Sequence, residues 1–201
     1  MEIAIMDRLK SQARNLQTLS DELRVQMALG KAEAKDVIEA ERKTLSQYIS
    51  KQKKEISKIE DSTNENRKEF LTSVETLESA LSSEIPSTAK KYDKYKNEIL
   101  NKIYKLEEEI KENYPDVSAS TQESLNLFKN KMDAYRVNLA LHDKDNPEKV
   151  EKIRNDFTTK LGEIREVLSN RENAQSKLDN FVEDISESFT YLKRAIANLS
   201  H

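Results

Sequence analysis

The chain has 201 residues, a net charge of −3 and 35% charged residues. Its 2 Gly and 3 Pro compare with about 24 at average usage. Sandwiches, doubly wound sheets and Gly-rich phosphate loops need turn residues that this chain lacks. Long helices need almost none, so the expected class is all-α.

Residues 3–29 carry Leu9, Ala13, Leu16, Leu19, Leu23 and Met27 in steps of three and four, one face of a helix. The stripe resumes at Val37 and Ile38 and continues through Leu45, Ile49, Ile56 and Ile59. After a polar dip it returns at Phe70, Val74, Leu77, Leu81 and Ile85, and Pro86 stops it. Tyr92, Ile99, Ile103, Leu106 and Ile110 mark a further helix that ends near Pro115. The next stripe reads Thr121, Leu125, Phe128, Met132, Tyr135, Leu139 and His142, and runs into the polar stretch 143–146. Asn146 before Pro147 is a start signal. A last helix is then expected from Val150, Ile153, Phe157, Leu161, Ile164 and Leu168 through Leu178, Val182, Ile185, Phe189, Leu192, Ile196 and Leu199. Its steps approach the 3.5-residue spacing of a coiled-coil seam.

A shift of 112 residues lays residues 23–29 on residues 135–141 with four identities in seven. The same shift pairs Leu16 with Phe128, Leu45 with Phe157, Ile49 with Leu161, Ile56 with Leu168 and Leu77 with Phe189. It also aligns two breaks in the stripe, 61–63 and 173–175. This predicts a single elongated domain, 1–201, made of two repeat halves, about 1–85 and 113–197, joined by a connecting helix at 87–112. One choice stays open at residues 30–36. Apart from Gly30 they are mostly strong helix formers, and propensity favours one continuous helix of about 80 residues. The other course is a turn, with Gly30 as C-terminal cap and Asp36 with Glu39 opening the next helix. Segment 37–84 would then lie antiparallel to 147–199. Both give an elongated antiparallel bundle or coiled coil of long helices. The polar stretches near 61–66 and 172–175 read as a hinge or a register-fixing polar layer.

No residue set here has the spacing that catalysis or metal binding requires. His142 and His201 are the only histidines, and no Glu-x-x-His or His-x-x-x-His spacing exists. Next to a helix end, His142 reads as a dipole partner. Asp143, Asp145 and Glu148 lack the glycine and spacing of a Ca²⁺ loop and read as an ordinary polar loop. Nothing resembles Gly-x-Ser-x-Gly. Glu107, Glu108 and Glu109 read as carboxylates on a solvated face beside lysines. Lys51, Lys53, Lys54 and Lys58, followed by Arg67 and Lys68, form the densest basic cluster. Glu55, Glu60 and Asp61 interrupt it, so a solvated face is expected rather than a lipid or nucleic-acid contact. Tyr92, Tyr95, Tyr104 and Tyr114 read as packing residues. No catalytic, cofactor-binding or metal-ligating residue is assigned, and no enzyme is expected.

With no Cys, no disulfide frame or thiol chemistry exists. The opening residues lack the basic and apolar runs of a signal peptide, and no stretch of 18 apolar residues occurs. A soluble, cytoplasmic protein is expected. With charge evenly mixed and slightly acidic, nucleic acid is not expected as a partner.

In these seams and sparse Pro breaks the chain resembles tropomyosin-like rods and apolipoprotein-like helical bundles. The resemblance is compositional, covers the whole chain and carries over no site residue. It implies either of two functions. One is a structural or protein-interaction bundle that self-associates or docks partner helices. The other is a lipid or membrane-surface binder that lays its apolar faces on a bilayer. The absence of Trp, the few Phe and the net acidity favour the first.

Overall fold

The computed structural model describes residues 2–58, 64–169 and 178–200. The described residues form seven α-helices and no strand: α1 Glu2–Ala28, α2 Lys31–Ile56, α3 Asn64–Leu81, α4 Ala89–Asn113, α5 Pro115–Leu141, α6 Pro147–Ser169 and α7 Leu178–Ala197, with a short 3₁₀ turn at Asn198–Ser200. The side chains of Leu9 and Leu178, the residues Ile59 and Glu60, the polar stretches 61–63 and 173–175, and His201 lie outside this description. The chain is a helical bundle. Its contacts divide into two compact units, residues 35–132 and residues 1–34 with 133–201. The unit boundaries fall inside α2 and α5, so α5 supplies 115–132 to one unit and 133–141 to the other.

Unit 35–132 is an antiparallel four-helix arrangement of α2, α3, α4 and the first part of α5. Ser50 Oγ donates to Glu78 Oε1 at 2.6 Å and Lys53 Nζ to Glu75 Oε1 at 3.1 Å, so α2 and α3 run side by side in opposite directions. A straight helix would separate residues 50 and 78 by about 42 Å. The long continuous helix expected from residue 3 to about 84 is therefore corrected, since the chain reverses between Ile56 and Asn64. The expected apolar positions supply the core: Ile38, Leu45, Ile49, Ile56, Phe70, Val74, Leu77, Ile99, Ile103, Leu106, Leu125 and Phe128 are all buried. Each contributes roughly 1.5–3 kcal/mol of transfer free energy. Across α3 and α4, Phe70 meets Tyr114 edge-on at 5.3 Å, and Asn66 Nδ2 donates to Asn113 Oδ1 at 2.8 Å. Pro115 opens α5 as well as closing the helix before it. The fixed φ of Pro suits a first turn, where no backbone N–H is needed.

Unit 1–34 with 133–201 packs α1, α6 and α7 around the last nine residues of α5. Leu16, Leu19, Leu23, Ile153, Phe157, Leu161, Ile164, Ile185, Leu192 and Ile196 form one buried cluster with Ala134, Val137, Ala140 and Leu141. The single last helix expected over 147–199 is corrected too. Lys160 Nζ lies 4.8 Å from the Tyr191 ring centroid, whereas one straight helix would hold these residues about 46 Å apart. The chain reverses between Ser169 and Leu178, and α6 and α7 lie side by side.

The choice at Gly30 is settled by side chains from α5 and α2. Asn138 Nδ2 donates to the carbonyls of Gln26 at 2.7 Å and Leu29 at 3.0 Å. It therefore takes carbonyls at the end of α1. Gly30 N–H donates to Glu33 Oε2 at 2.9 Å, and Ala34 N–H donates to the Gly30 carbonyl at 2.9 Å. Gly30 thus caps the start of α2, with Glu33 as the returning half of a capping box. Its φ is not in the left-handed region, so it is not the C-terminal cap of the turn reading, and the next helix starts at Lys31 rather than near Asp36. Segments 37–84 and 147–199 belong to different units.

Candidate functional site

Residues 132–141 of α5 are buried on every side. A helix wrapped all round is normally apolar all round, yet this one carries Asp133, Arg136 and Asn138. Asp133 accepts a hydrogen bond from Lys193 of α7, and Arg136 Nη2 donates to the Leu199 carbonyl at 2.6 Å. Together with Asn138 on α1, these bonds tie α5 to both neighbours. Arg136 serves the carbonyl end of α7, where a cation also meets the favourable end of the helix dipole. The sequence signal was present in Ala134, Val137, Leu139, Ala140 and Leu141, which leave no polar face. The three polar residues among them obscured it.

Two grooves flank α6 in the same unit. One of about 510 Å³ lies between α6 and α7, with Ile153, Phe157 and Leu199 in its wall and Lys149, Lys152 and Arg194 at its rim. The other, about 500 Å³, lies between α6 and α1 and is bordered by Arg24, Arg154 and Arg165, with Met27, Thr158 and Gly162 between them. Arg24 is held in place, as Nη2 donates to the Leu161 carbonyl at 3.0 Å and Nη1 lies 3.2 Å from Asp21 Oδ1.

The residues singled out from the sequence disperse rather than converge. His142 donates from Nδ1 to the Asn138 carbonyl at 2.9 Å, the helix-end position expected for it. Asp143 accepts from the Asp145 N–H at 3.1 Å and the Asn146 amide at 3.3 Å, so this loop is bonded within itself. Among the described residues no group of three or more His, Cys, Asp or Glu is placed to hold a metal ion. Lys53 pairs with Glu75 and Glu78, and Lys58 with Glu55, while Lys51 and Lys54 stay exposed. Tyr92, Tyr95 and Tyr114 are buried, and the Tyr92 hydroxyl donates to the Met132 carbonyl at 3.0 Å. Tyr104 is the exception, 53% exposed under the Lys129 ammonium.

Glu107 departs from the solvated face expected for it. It accepts from Lys129 Nζ at 2.6 Å and Gln122 Nε2 at 2.7 Å, largely screened from water. Burial raises the Glu109 carboxyl above its ordinary value and the nearby Glu69 carboxylate adds to this, while Lys105 opposes. Burial likewise raises the Tyr95 phenol, against the Arg42 guanidinium beside it. Both groups sit among helices as packing and pairing partners.

No helix among the described residues is long and apolar enough to cross a membrane. Comparisons with protein-family models, curated proteins and solved structures find no match to the chain.

Proposed function

We propose that the chain is a non-enzymatic helical-bundle protein that acts by docking protein partners, in a cytoplasmic setting. The observation that carries this reading is the use of the apolar stripes. Among the described residues, most apolar positions of the stripes are buried. Spreading those faces on a bilayer would first expose them to water, at roughly 25 cal/mol per Å². Buried polar bonds such as Asn138 to α1 would also be lost. Outside lie charged surface and the grooves beside α6, which suit a partner of complementary shape and charge.

Lipid binding is the second reading, favoured by the apolar wall and basic rim of the groove between α6 and α7. Flotation with neutral and anionic vesicles at low and physiological salt decides between them. The docking reading expects the protein to stay in solution under every condition. Flotation with anionic vesicles at physiological salt would overturn it in favour of lipid.

We further infer that the fold was built by duplication. In support, a shift of 112 residues carries α1 onto α5, α2 onto α6 and α3 onto α7 within a few residues at each end, leaving α4 as the connecting helix. The segments that agree best, 23–29 and 135–141, are bonded to each other at Gln26 and Asn138, which are themselves 112 residues apart. The steps of three and four along α6 and α7 support coiled-coil-like packing of that pair.

A further inference from the structure

Among the described residues nothing packs against Gly162. It stands in the interior of α6, is exposed, and a Cβ built on it would meet nothing within 4 Å. Glycine in a helix interior is unfavourable relative to alanine and gains nothing where the space above it is open. The only other glycine, Gly30, caps a helix. A bare stretch of helix backbone is useful when another backbone must come close to it.

The surroundings name the chemistry of that visitor. The groove over Gly162 has three guanidinium groups on its border, Arg24 from α1 and Arg154 and Arg165 from α6. Arg24 is fixed against the Leu161 carbonyl, one residue before the glycine. Arg154 and Arg165 are exposed, and neither is held in an ion pair among the described residues. Eleven residues apart, they stand on the same side of α6 about three turns and roughly 16 Å apart. Between them lie Thr158 and the glycine, with Met27 supplying an apolar patch. Val25 of α1, 48% exposed, adds apolar surface one turn from Ala28, which also borders the groove.

We propose that this groove docks an acidic helix of a partner protein, laid against α6 with its backbone over Gly162 and its carboxylates on Arg154, Arg165 and Arg24. Two cations three turns apart match carboxylates three turns apart on a neighbouring helix, and Arg takes carboxylates in paired hydrogen bonds. A lipid headgroup needs the cations but not the gap at the glycine. This proposal rests on the protein-docking reading.

The test uses the full chain and a fluorescein-labelled helical peptide of three heptads, with alanine on one face and glutamate on its flanks. Fluorescence anisotropy is read at low and physiological salt. The intact protein is expected to bind it, more weakly as salt rises, and the glutamine counterpart of the peptide is expected not to bind. Arg154→Glu combined with Arg165→Glu should weaken binding about tenfold or more. Gly162→Leu fills the gap without touching a charge, and should weaken binding by about as much while the melting temperature does not fall. Equal binding by the protein and both variants overturns the proposal, as does equal binding of the glutamine peptide or no binding at all. Anionic vesicles held through the same arginines in place of the peptide would overturn both this proposal and the docking reading. Sedimentation showing self-association that the double variant abolishes would overturn the acidic partner alone and assign the groove to a second copy.

Discussion

Asn138 is one buried amide that serves two carbonyls of another helix, Gln26 and Leu29. Replacing it with alanine leaves both carbonyls in an interior without their donor. Asn138→Ala is expected to lower stability by about 2 kcal/mol in urea unfolding, the scale set by stranded buried acceptors. Glu109 reports on its surroundings through pH. The folded chain holds the Glu109 proton more tightly than the unfolded chain does. Stability tied to this group is therefore full below the ordinary carboxylate value of 4.5. It falls as pH rises through the raised value. Glu109→Gln is expected to melt higher than the parent near pH 7 and level with it near pH 4, by calorimetry at both. Neither residue was legible as a site in the sequence. Asn138 reads as one more polar residue on a helix, and Glu109 as one of three consecutive glutamates, until other helices are brought against them.

At the level of elements, most of the apolar stripes were legible. Leu16, Leu45, Phe70, Ile103 and Phe157 were expected inside and are buried. The breaks at Pro86, Pro115 and 143–146 were legible as well, whereas the one at Gly30 stayed open and those between Ile56 and Asn64 and between Ser169 and Leu178 were missed. The residues following Gly30 are good helix formers, and local propensity cannot register that Asn138, more than a hundred residues away, takes the carbonyls ending α1. Between α2 and α3 and between α6 and α7 the sequence shows interruptions in the stripe, yet an interruption reads equally as a hinge or a polar layer. Gly162 was plain in the sequence but its openness was not, since only the packed helix shows what stands over it. Gly162→Ala is expected to raise stability by about 1 kcal/mol in urea unfolding, because the added methyl meets open space and alanine favours the helix.

For the molecule as a whole, the division into two units makes a substitution's reach measurable. Ile164 and Ile185 are fully buried in the same cluster. Ile164→Asp or Ile185→Asp places an unpaired carboxylate there and is expected to cost several kcal/mol. By hydrogen exchange the loss of protection should concentrate in α1, α6, α7 and the end of α5. The amides of α3 and α4 should retain theirs. Unchanged melting of both variants would mean that this face of α6 and α7 is not core.

The unit containing α1 also has a consequence for synthesis. Residues 35–132 are continuous and become available together, so this unit can close while the chain is still growing. Residues 1–34 precede this unit in the chain but share their own with residues 133–201. Until α6 and α7 have left the ribosome, Leu16, Leu19 and Leu23 lack their partners on those two helices. This places α1 among the long-range contacts that fold late and attract chaperones. Ribosome-arrested chains ending after α5 are expected to show protease-resistant α3 and α4 and a protease-sensitive α1. Protection of α1 should arrive only once α7 is out.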